Sequence, residues 1–405
     1  MSTVLHLLEL PEALLALVLS SLPAGRSLCN ALETHRILFN VGRADPCIWV
    51  PLSMQHSWLL RHREADAPVA LYQRAHCGVV SERLVCIGGD EGGSMIFHAG
   101  SSVISFDMRT QVWEDLPNLR RARNAPCAAA DTAAGVIYTA GGWCDDEDGS
   151  LDSTDSLSVP RVGGNDTVCA PRQWYANEDW RWDAAAPLSS ARCFGAALCD
   201  GSGRLWVCGG GDALSRGAYC SKAIEACSEP REPSAQFESM GEMIEPRCGL
   251  ALAADARSSV LYLVGGYSGG MSYQNTVETF DMSSGAPASQ LPPMSHARSG
   301  CGAGCGPDGA LYVVGGSDDG SNMLSSCERL DPREGVWQTL SDLSESRGYL
   351  AACFALDGAL YTAGGCGMMG QSLDTFHAFD TRAGRWRDLP PMPTARSNHA
   401  LVHIL

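Results

Sequence analysis

Lysine is nearly absent from this chain of 405 residues, since Lys222 is the single lysine among 29 basic residues. Asp and Glu together number 46, which gives a formal net charge of −17 at neutral pH. A surface of this charge repels the phosphate backbone of nucleic acids and anionic membrane leaflets. We therefore expect neither nucleic acid nor a membrane as a partner.

Long hydrophobic runs and closely paired cysteines are also missing. The most apolar stretch near the N-terminus, from Ala13 to Leu19, is too short for a membrane span and lacks the basic residues that precede the apolar part of a signal peptide. The 18 cysteines include no C-x-x-C pair of the kind that binds zinc. We expect free thiols, no metal, no cofactor and a nuclear or cytoplasmic location.

Two common catalytic signatures are absent as well, because the sequence contains no P-loop and no H-E-x-x-H motif. We therefore predict no catalytic residues and no enzymatic activity. An acidic run from Asp145 to Asp155 lacks the glycine and the glutamate that shape a calcium-binding loop, so we interpret it as a solvated loop. It opens a long insert, residues 145–182, whose aromatic residues are a candidate partner contact.

What the sequence does contain is a repeat of about 50 residues. Six Gly-Gly doublets each end an apolar run, and one period, residues 298–346, holds four short segments with turn signals between them, which predicts four strands. Such sheets, packed radially around an axis, cover one another's faces. The first strand of each period is rich in Gly, Ala and Cys, as expected where strands crowd the axis. The doublets begin at Gly88, Gly141, Gly209, Gly265, Gly315 and Gly364.

An arginine stands at the start of each period. Arg74 is the first of seven such arginines, although there are only six doublets. The C-terminal segment 396–405 is therefore expected to return to the first sheet and close the ring, and the sequence leaves open whether it replaces or supplements the strand after Arg74. The other six are Arg123, Arg192, Arg247, Arg298, Arg347 and Arg396.

The doublet, an Asp after it and a Trp after that together resemble the kelch repeat. Phe237 replaces the Trp in the third unit, and the fourth unit has no aromatic residue there, which predicts looser packing of those two units. The resemblance covers residues 74–405 and implies a mainly β fold, a six-bladed propeller. The tryptophans are Trp113, Trp182, Trp337 and Trp386.

The first 60 residues have a helical pattern instead. An amphipathic helix between Pro11 and Pro23, followed by Asp45-Pro46, resembles an F-box, which implies a small helical module at 1–60 and a connector at 61–73 before the propeller. By that resemblance the module would dock on a Skp-type adaptor and so join a cullin-RING ubiquitin ligase. The alternative is that its apolar stripe packs on the first blade. The expected contact residues are Leu10, Pro11, Leu14, Leu15, Val18, Leu19, Leu22 and Trp49.

The kelch resemblance also implies a role for the six arginines that follow Arg74. In kelch proteins that recruit substrates, arginines at this place look into the central pocket and bind acidic or phosphorylated peptides, which guanidinium groups fit bidentately. A repeated arginine can equally serve each blade structurally, by pairing with Asp or with backbone carbonyls.

The function expected from both resemblances is that of the substrate-recognition subunit of an SCF-type ubiquitin ligase, which binds an acidic or phosphorylated target protein. A kelch scaffold for a cytoskeletal or signalling protein, without ubiquitin chemistry, is the alternative. A copper-radical oxidase-like enzyme, with side chains such as His377, His399 and Cys366 as ligands, is a distant third.

Overall fold

The structure is a computed structural model, and it describes residues 82–91, 98–146, 149–159, 180–212, 219–255, 259–270 and 272–404. All the regular elements in these ranges are β-strands. Arg74, the predicted connector and the predicted F-box lie outside these residues. The division of the chain at residues 60 and 73 therefore stays a prediction.

The strands form six four-stranded antiparallel sheets, the blades of a β-propeller. In blade I the second strand, with the sequence RLVCI, is buried on both faces because neighbouring sheets cover it. Strands are numbered along the chain and given below from the innermost strand outward. Blade I consists of β26 (Ala400–Ile404), β1 (Arg83–Ile87), β2 (Val103–Asp107) and β3 (Val112–Leu116). Blade II consists of β4 (Cys127–Asp131), β5 (Val136–Ala140), β8 (Thr154–Ser158) and β9 (Trp182–Ala185). Blade III consists of β10 (Cys193–Cys199), β11 (Leu205–Gly211), β12 (Ala223–Cys227) and β13 (Glu238–Glu242).

The remaining blades repeat this order, and a short extra hairpin lies in a loop of blade II. Blade IV consists of β14 (Ala251–Asp255), β15 (Val260–Val264), β16 (Val277–Asp281) and β17 (Ser289–Gln290). Blade V consists of β18 (Gly302–Cys305), β19 (Leu311–Val314), β20 (Cys327–Asp331) and β21 (Val336–Thr339). Blade VI consists of β22 (Ala351–Phe354), β23 (Leu360–Ala363), β24 (Phe376–Asp380) and β25 (Arg385–Leu389). The extra hairpin consists of β6 (Trp143–Cys144) and β7 (Gly149–Ser150).

The C-terminal strand closes the ring, as the sequence predicted. β26 pairs with β1 along its whole length, in a register that places Val402 opposite Val85. It also packs against β22 of blade VI and β4 of blade II, which are the innermost strands on either side. The place that the sequence left open, the innermost strand of blade I, is therefore taken by the end of the chain.

Small side chains line the axis because the innermost strands approach one another closely. A Cβ on Gly302 of β18 would lie 2.5 Å from the Cβ of Ala352 in β22, and one on Gly304 would lie 2.7 Å from the ring of Phe354. Neither position has room for a methyl group. The preference for Gly, Ala and Cys in the first strand is thus a packing requirement.

The repeated tryptophans join successive blades. Each indole Nε1 donates a hydrogen bond to a carbonyl oxygen just beyond the outermost strand of the preceding blade. Phe237 in blade III is buried but has no donor to offer, and the outermost strand of blade IV is only two residues long. The four bonds run from Trp113 to Pro390, from Trp182 to Pro117, from Trp337 to Pro292 and from Trp386 to Ser341, at 2.8–3.0 Å.

A search of the described residues for a helix long and apolar enough to cross a membrane finds no candidate.

Candidate functional site

The six predicted arginines lie where the chain enters each blade, and their side chains are buried. Five of them are inaccessible to solvent, and Arg192 is 3% exposed. Each guanidinium donates a hydrogen bond to the carbonyl oxygen of the first glycine in the doublet of its own blade, at 2.5–3.3 Å. These pairs are Arg123–Gly141, Arg192–Gly209, Arg247–Gly265, Arg298–Gly315, Arg347–Gly364 and Arg396–Gly88.

Arg298 shows which hydrogen bonds such a side chain makes. Its Nη1 atom donates to the carbonyls of Gly315 at 2.7 Å and Ser326 at 2.9 Å, and its Nη2 atom donates to Ser326 Oγ at 2.7 Å and Glu328 Oε1 at 2.8 Å. Burial raises the pKa of Glu328, but hydrogen bonds from Ser295 and Arg298 outweigh it and leave the pKa below its usual value. The pair is therefore a buried ion pair in which both terminal nitrogens are occupied.

A carboxylate accepts from the arginine at the same place in three other blades. The partners are Asp155 in blade II, Glu225 in blade III and Glu278 in blade IV. In blade VI the partner is instead His377, whose Nε2 lies 3.0 Å from Arg347 while its Nδ1 lies 3.0 Å from Asp388. Burial and the charge of Arg347 lower the pKa of His377. A neutral imidazole that accepts from Arg347 and donates to Asp388 satisfies both contacts.

The backbone of each arginine serves the blade before it. The amide of the second glycine in each doublet donates to the carbonyl oxygen of the next arginine, as in Gly89 to Arg123 at 2.9 Å and Gly365 to Arg396 at 2.9 Å. Each arginine is thus bonded to two successive blades, and Arg396 joins the last blade to the first. This geometry favours the structural role that the sequence left open, and binding of a target by these guanidinium groups stays a prediction.

A ring of six residues lies around the axis, two positions after each arginine. All six have left-handed backbone conformations, with φ between 49° and 62°. Five hydrogen bonds from an amide to a carbonyl join five successive pairs of them around the axis. The axial ring consists of Ala125, Phe194, Gly249, Gly300, Tyr349 and Asn398.

Two aromatic side chains of the axial ring meet from opposite blades. The rings of Phe194 in blade III and Tyr349 in blade VI are edge to face, with centroids 6.4 Å apart. Burial raises the pKa of Tyr349 to about 12. A Cβ on Gly300 would lie 2.7 Å from Cδ1 of Tyr349, so a side chain there would displace this ring. The aromatic pair occupies the axis at this end of the propeller.

The axial ring is not among the features predicted above, although the sequence carries a signal for it. Gly249 and Gly300 stand two residues after their arginines, and Asn398 has the same offset. Gly and Asn are the residue types that most readily adopt a left-handed conformation. Comparison of this offset across the repeats would have indicated a constrained position.

Comparison with known proteins identifies the family. The profile of the KLHDC2/KLHL20/DRC7 Kelch-repeats domain matches residues 195–405, just over half of the chain. This chain belongs to the kelch-repeat family.

Three curated proteins illustrate what this kelch protein is similar to. The F-box/kelch-repeat protein At4g39560 of Arabidopsis thaliana is 30% identical over 132 residues, which cover 29% of this chain and 47% of that protein. Human Kelch-like protein 34 is 29% identical over 173 residues, which cover 42% of this chain and 22% of that protein. The Kelch repeat and BTB domain-containing protein 1 of cowpox virus is 28% identical over 102 residues, 25% of this chain and 18% of that protein. This chain therefore spans less than half the length of each of these relatives.

Among solved structures, that of YjhT has a TM-score of 0.58 at 13% sequence identity, and the match covers 77% of this chain and 98% of the other. At this identity the likeness shows the fold alone.

The loops between the second and third strands of the kelch blades lie at the same end as the axial ring. Backbone bridges such as Asn124 to Trp143 and Cys248 to Tyr267 tie the arginine-bearing connectors to them. We call them the rim loops. Their described residues are 88–91, 98–102, 141–146, 149–153, 212, 219–222, 265–270, 272–276, 315–326 and 364–375.

The rim loops present exposed apolar side chains and many carboxylates. Tyr219 is 65% exposed, Met368 59% and Met369 84%. Among the described residues of these loops the basic side chains are His98 and Lys222, so the rim is acidic. Its exposed or half-buried carboxylates belong to Glu91, Asp145, Asp146, Asp152, Asp212, Asp318, Asp319 and Asp374.

The acidic insert of blade II is only in part the solvated loop that the sequence predicted. Asp145 and Asp146 are exposed, but Asp155 lies in β8, is 2% exposed and pairs with Arg123 at 2.9 Å and Arg120 at 3.0 Å. That carboxylate belongs to the blade because it completes the arginine site. Trp182 is the first residue of β9, the outermost strand of blade II. Residues 160–179 lie outside the described residues.

The remaining residues predicted from the sequence fall partly outside and partly inside the described part of the chain. Leu10, Pro11, Leu14, Leu15, Val18, Leu19, Leu22 and Trp49 lie outside the described part of the chain. Of the side chains considered as copper ligands, His377 bonds to Arg347 and Asp388, whereas His399 is 6% exposed and has no hydrogen-bond partner for either ring nitrogen among the described residues. Cys366 is half-buried, with its Sγ atom 3.6 Å from the carbonyl oxygen of Gly367.

Proposed function

We propose that this kelch protein is the substrate receptor of an SCF-type ubiquitin ligase. The propeller binds a target protein across its rim loops, and the N-terminal module docks on a Skp-type adaptor that belongs to a cullin-RING complex. The observation that carries the proposal is the rim, which combines exposed apolar side chains with a dense set of carboxylates around an occupied axis.

The rim is the best candidate for the target surface because its large apolar side chains are exposed to solvent. Large exposed hydrophobic side chains rimmed by polar groups are typical of protein interaction sites. Since Phe194 and Tyr349 occupy the axis, a target would lie across the rim and contact these rings from outside.

The charge of the rim favours a target segment with basic and apolar side chains. The six arginines are buried and hydrogen-bonded within the blades, so this proposal places the target on the rim loops rather than on these guanidinium groups. The carboxylates of the rim loops would instead attract Lys and Arg and speed association at low salt.

The adaptor half of the proposal rests on the sequence of residues 1–60 and on one relative. The Arabidopsis protein is named an F-box/kelch-repeat protein, and this chain carries an F-box-like pattern ahead of its propeller. On this proposal the chain is not an enzyme. It works in the cytoplasm or nucleus by raising the effective concentration of a target near a ubiquitin-charged enzyme.

A scaffold without ubiquitin chemistry is the second candidate. It is favoured by the other relatives, whose names carry no F-box: human Kelch-like protein 34 and the cowpox protein named for kelch repeats and a BTB domain. Kelch repeats therefore occur in proteins named for an F-box and in proteins named for a BTB domain. The presence of the propeller alone does not discriminate between the two functions.

Affinity purification of the tagged full chain from its native cells tests the proposal. The wild type should capture both a Skp-type adaptor and a target, Leu14→Asp with Leu15→Asp should lose only the adaptor, and Met368→Asp with Met369→Asp should lose only the target. Val336→Asp is the matched control, because Val336 is 62% exposed but lies at the start of an outermost strand, at the opposite end of its blade from the rim. A wild type that captures a target but no adaptor would favour the scaffold, and a rim variant that keeps the target would reject the rim as its site.

A further inference from the structure

Two cysteines on neighbouring blades nearly touch. The Sγ atoms of Cys220, in the rim loop of blade III, and Cys248, in the connector that enters blade IV, lie 3.1 Å apart as free thiols. Both side chains are half-buried. A disulfide bond needs a separation of about 2 Å between the sulfur atoms, so a small movement would join them.

The backbone holds both cysteines in place. Cys220 is bridged to Gly211, the last residue of β11, and the amide of the following residue, Ser221, donates to Gly210 at 2.7 Å. Cys248 exchanges two hydrogen bonds with Tyr267, at 2.9 and 2.8 Å. The amide of Arg247, in turn, donates to the carbonyl of Ser221 at 3.0 Å. The two segments are therefore bonded directly to each other one residue away from the sulfur pair.

The pair differs from the cysteines of the core in access and in acidity. Burial raises the pKa of the core thiols, as for Cys86, which reaches about 12. At the pair, a hydrogen bond from Cys248 stabilises the thiolate of Cys220 and lowers the Cys220 pKa, while the same bond and burial raise that of Cys248. A hollow of about 420 Å³ opens beside Cys220, lined in part by Tyr219, Lys222 and Pro246. A small oxidant can reach the more acidic sulfur through it.

We propose that Cys220 and Cys248 are an oxidation site that forms a reversible disulfide with hydrogen peroxide. The Cys220 thiolate attacks one peroxide oxygen, the O–O bond breaks, and a sulfenic acid forms while the other oxygen leaves as hydroxide and takes up a proton to become water. The Cys248 sulfur then attacks the sulfenic sulfur and loses its proton, the S–O bond breaks, and a second water leaves. In total two thiols lose two electrons and two protons, and one peroxide becomes two waters.

The disulfide would tie a rim loop to the axial ring. Cys220 follows Tyr219, an exposed residue of the rim, and Cys248 precedes Gly249 of the ring. Oxidation would therefore fix the end of the loop of blade III against the connector of blade IV. This inference concerns the pair of thiols alone and does not depend on the identity of any target.

Peptide mapping of the intact protein tests the site, because trypsin places each cysteine in a short peptide of its own. Cleavage after Arg216, Lys222, Arg247 and Arg257 releases GAYCSK with Cys220 and CGLALAADAR with Cys248. The full-length protein is treated with hydrogen peroxide, blocked with N-ethylmaleimide and digested without a reductant. The expected product is a cross-linked pair of these two peptides, which dithiothreitol converts back to the separate thiols.

Variants give the controls. Cys220→Ser should leave Cys248 open to N-ethylmaleimide after peroxide. Cys366→Ser, which removes a half-buried thiol next to the glycine doublet of blade VI, should keep the cross-link. The proposal fails if peroxide-treated wild type yields both peptides separately with N-ethylmaleimide on each, or if Cys248 is joined to a third cysteine such as Cys193. The mapping of the wild type decides this even if a variant does not fold.

Discussion

At the scale of single residues, the arginine that opens each kelch unit performs two tasks. Its side chain closes its own blade onto the first glycine of the doublet, and its carbonyl accepts from the doublet of the blade before. Because both glycines of the doublet have positive φ, their carbonyl and amide can face the two successive arginines at once. The repeat is therefore recognisable in the sequence because three residues depend on one another.

Arg298→Ala should lower the stability of the propeller strongly. It leaves Glu328 buried without its cation, and loss of one member of a buried ion pair typically costs about 3–5 kcal/mol. Urea unfolding followed by tryptophan fluorescence measures this free energy. Arg333→Ala is the control, because Arg333 also pairs with a carboxylate, at 2.6 Å, but is 76% exposed. An Arg298→Ala protein as stable as the control would show that Arg298 does not stabilise the fold, and it would favour a binding role for this arginine.

His399 should make the stability depend on pH. Burial, and then the charge of Arg396, lower its pKa to about 3, whereas an imidazole in the unfolded chain titrates near 6.5. As the pH falls below about 6.5 the unfolded state takes up a proton that the folded state refuses, so the free energy of unfolding falls by about 1.4 kcal/mol per pH unit until about pH 3.

Urea midpoints at pH 7.5 and pH 5.5 check this pH dependence. His399→Leu should reduce it, and the part that remains is assigned to His377, whose pKa burial also lowers. Replacement of the exposed His296 by Gln controls for the loss of an imidazole as such. Equal pH dependence in the wild type and His399→Leu would show that this histidine is not held neutral.

At the scale of elements, β26 determines whether the propeller is a closed ring. It supplies the innermost strand of a blade whose other strands lie some 300 residues earlier in the chain. Arg396 begins the same segment and bonds to the doublet of blade I. The C-terminal segment therefore supplies both the innermost strand and the arginine of blade I.

Deletion of residues 400–405 should destabilise the whole propeller. It exposes β1 on one side and removes Ile404, which is fully buried. We expect a loss of several kcal/mol, which lowers the melting temperature by about 2–4 °C per kcal/mol in a domain of some 200 residues and by somewhat less in a larger one. Differential scanning calorimetry gives the value, with deletion of Leu405 alone as the control. Equal melting temperatures for the two deletions would show that β26 does not hold the ring closed.

Much of this element structure can be read from the sequence, and the part that cannot has a physical cause. The doublets, the arginines and the tryptophans mark six four-stranded units because each of them makes a backbone contact that recurs in the repeats. The axial ring was missed because Ala125, Phe194 and Tyr349 are not residue types that favour a left-handed backbone, and the surrounding blades impose it. Asp155 is predicted as part of a loop because the acidic run from Asp145 to Asp155 extends from exposed residues into the buried strand β8.

At the scale of the whole molecule, the propeller has two regions that differ in their exposure to a partner. The arginine sites are buried, paired and spread between blades, whereas the rim loops are exposed, acidic and partly apolar. The first region stabilises the fold and the second is available for binding. A target should therefore be lost by changes at Met368 and Met369 in a protein whose stability is unchanged.

The central claim, that the chain carries its target to a ubiquitin ligase, depends on the N-terminal module. Titration of the purified full-length protein with a purified Skp-type adaptor in a calorimeter tests it most directly. We expect saturable binding by the wild type and none by Leu14→Asp with Leu15→Asp, while both proteins unfold at the same temperature. The same adaptor binding by both proteins, or no binding by the wild type, would contradict it.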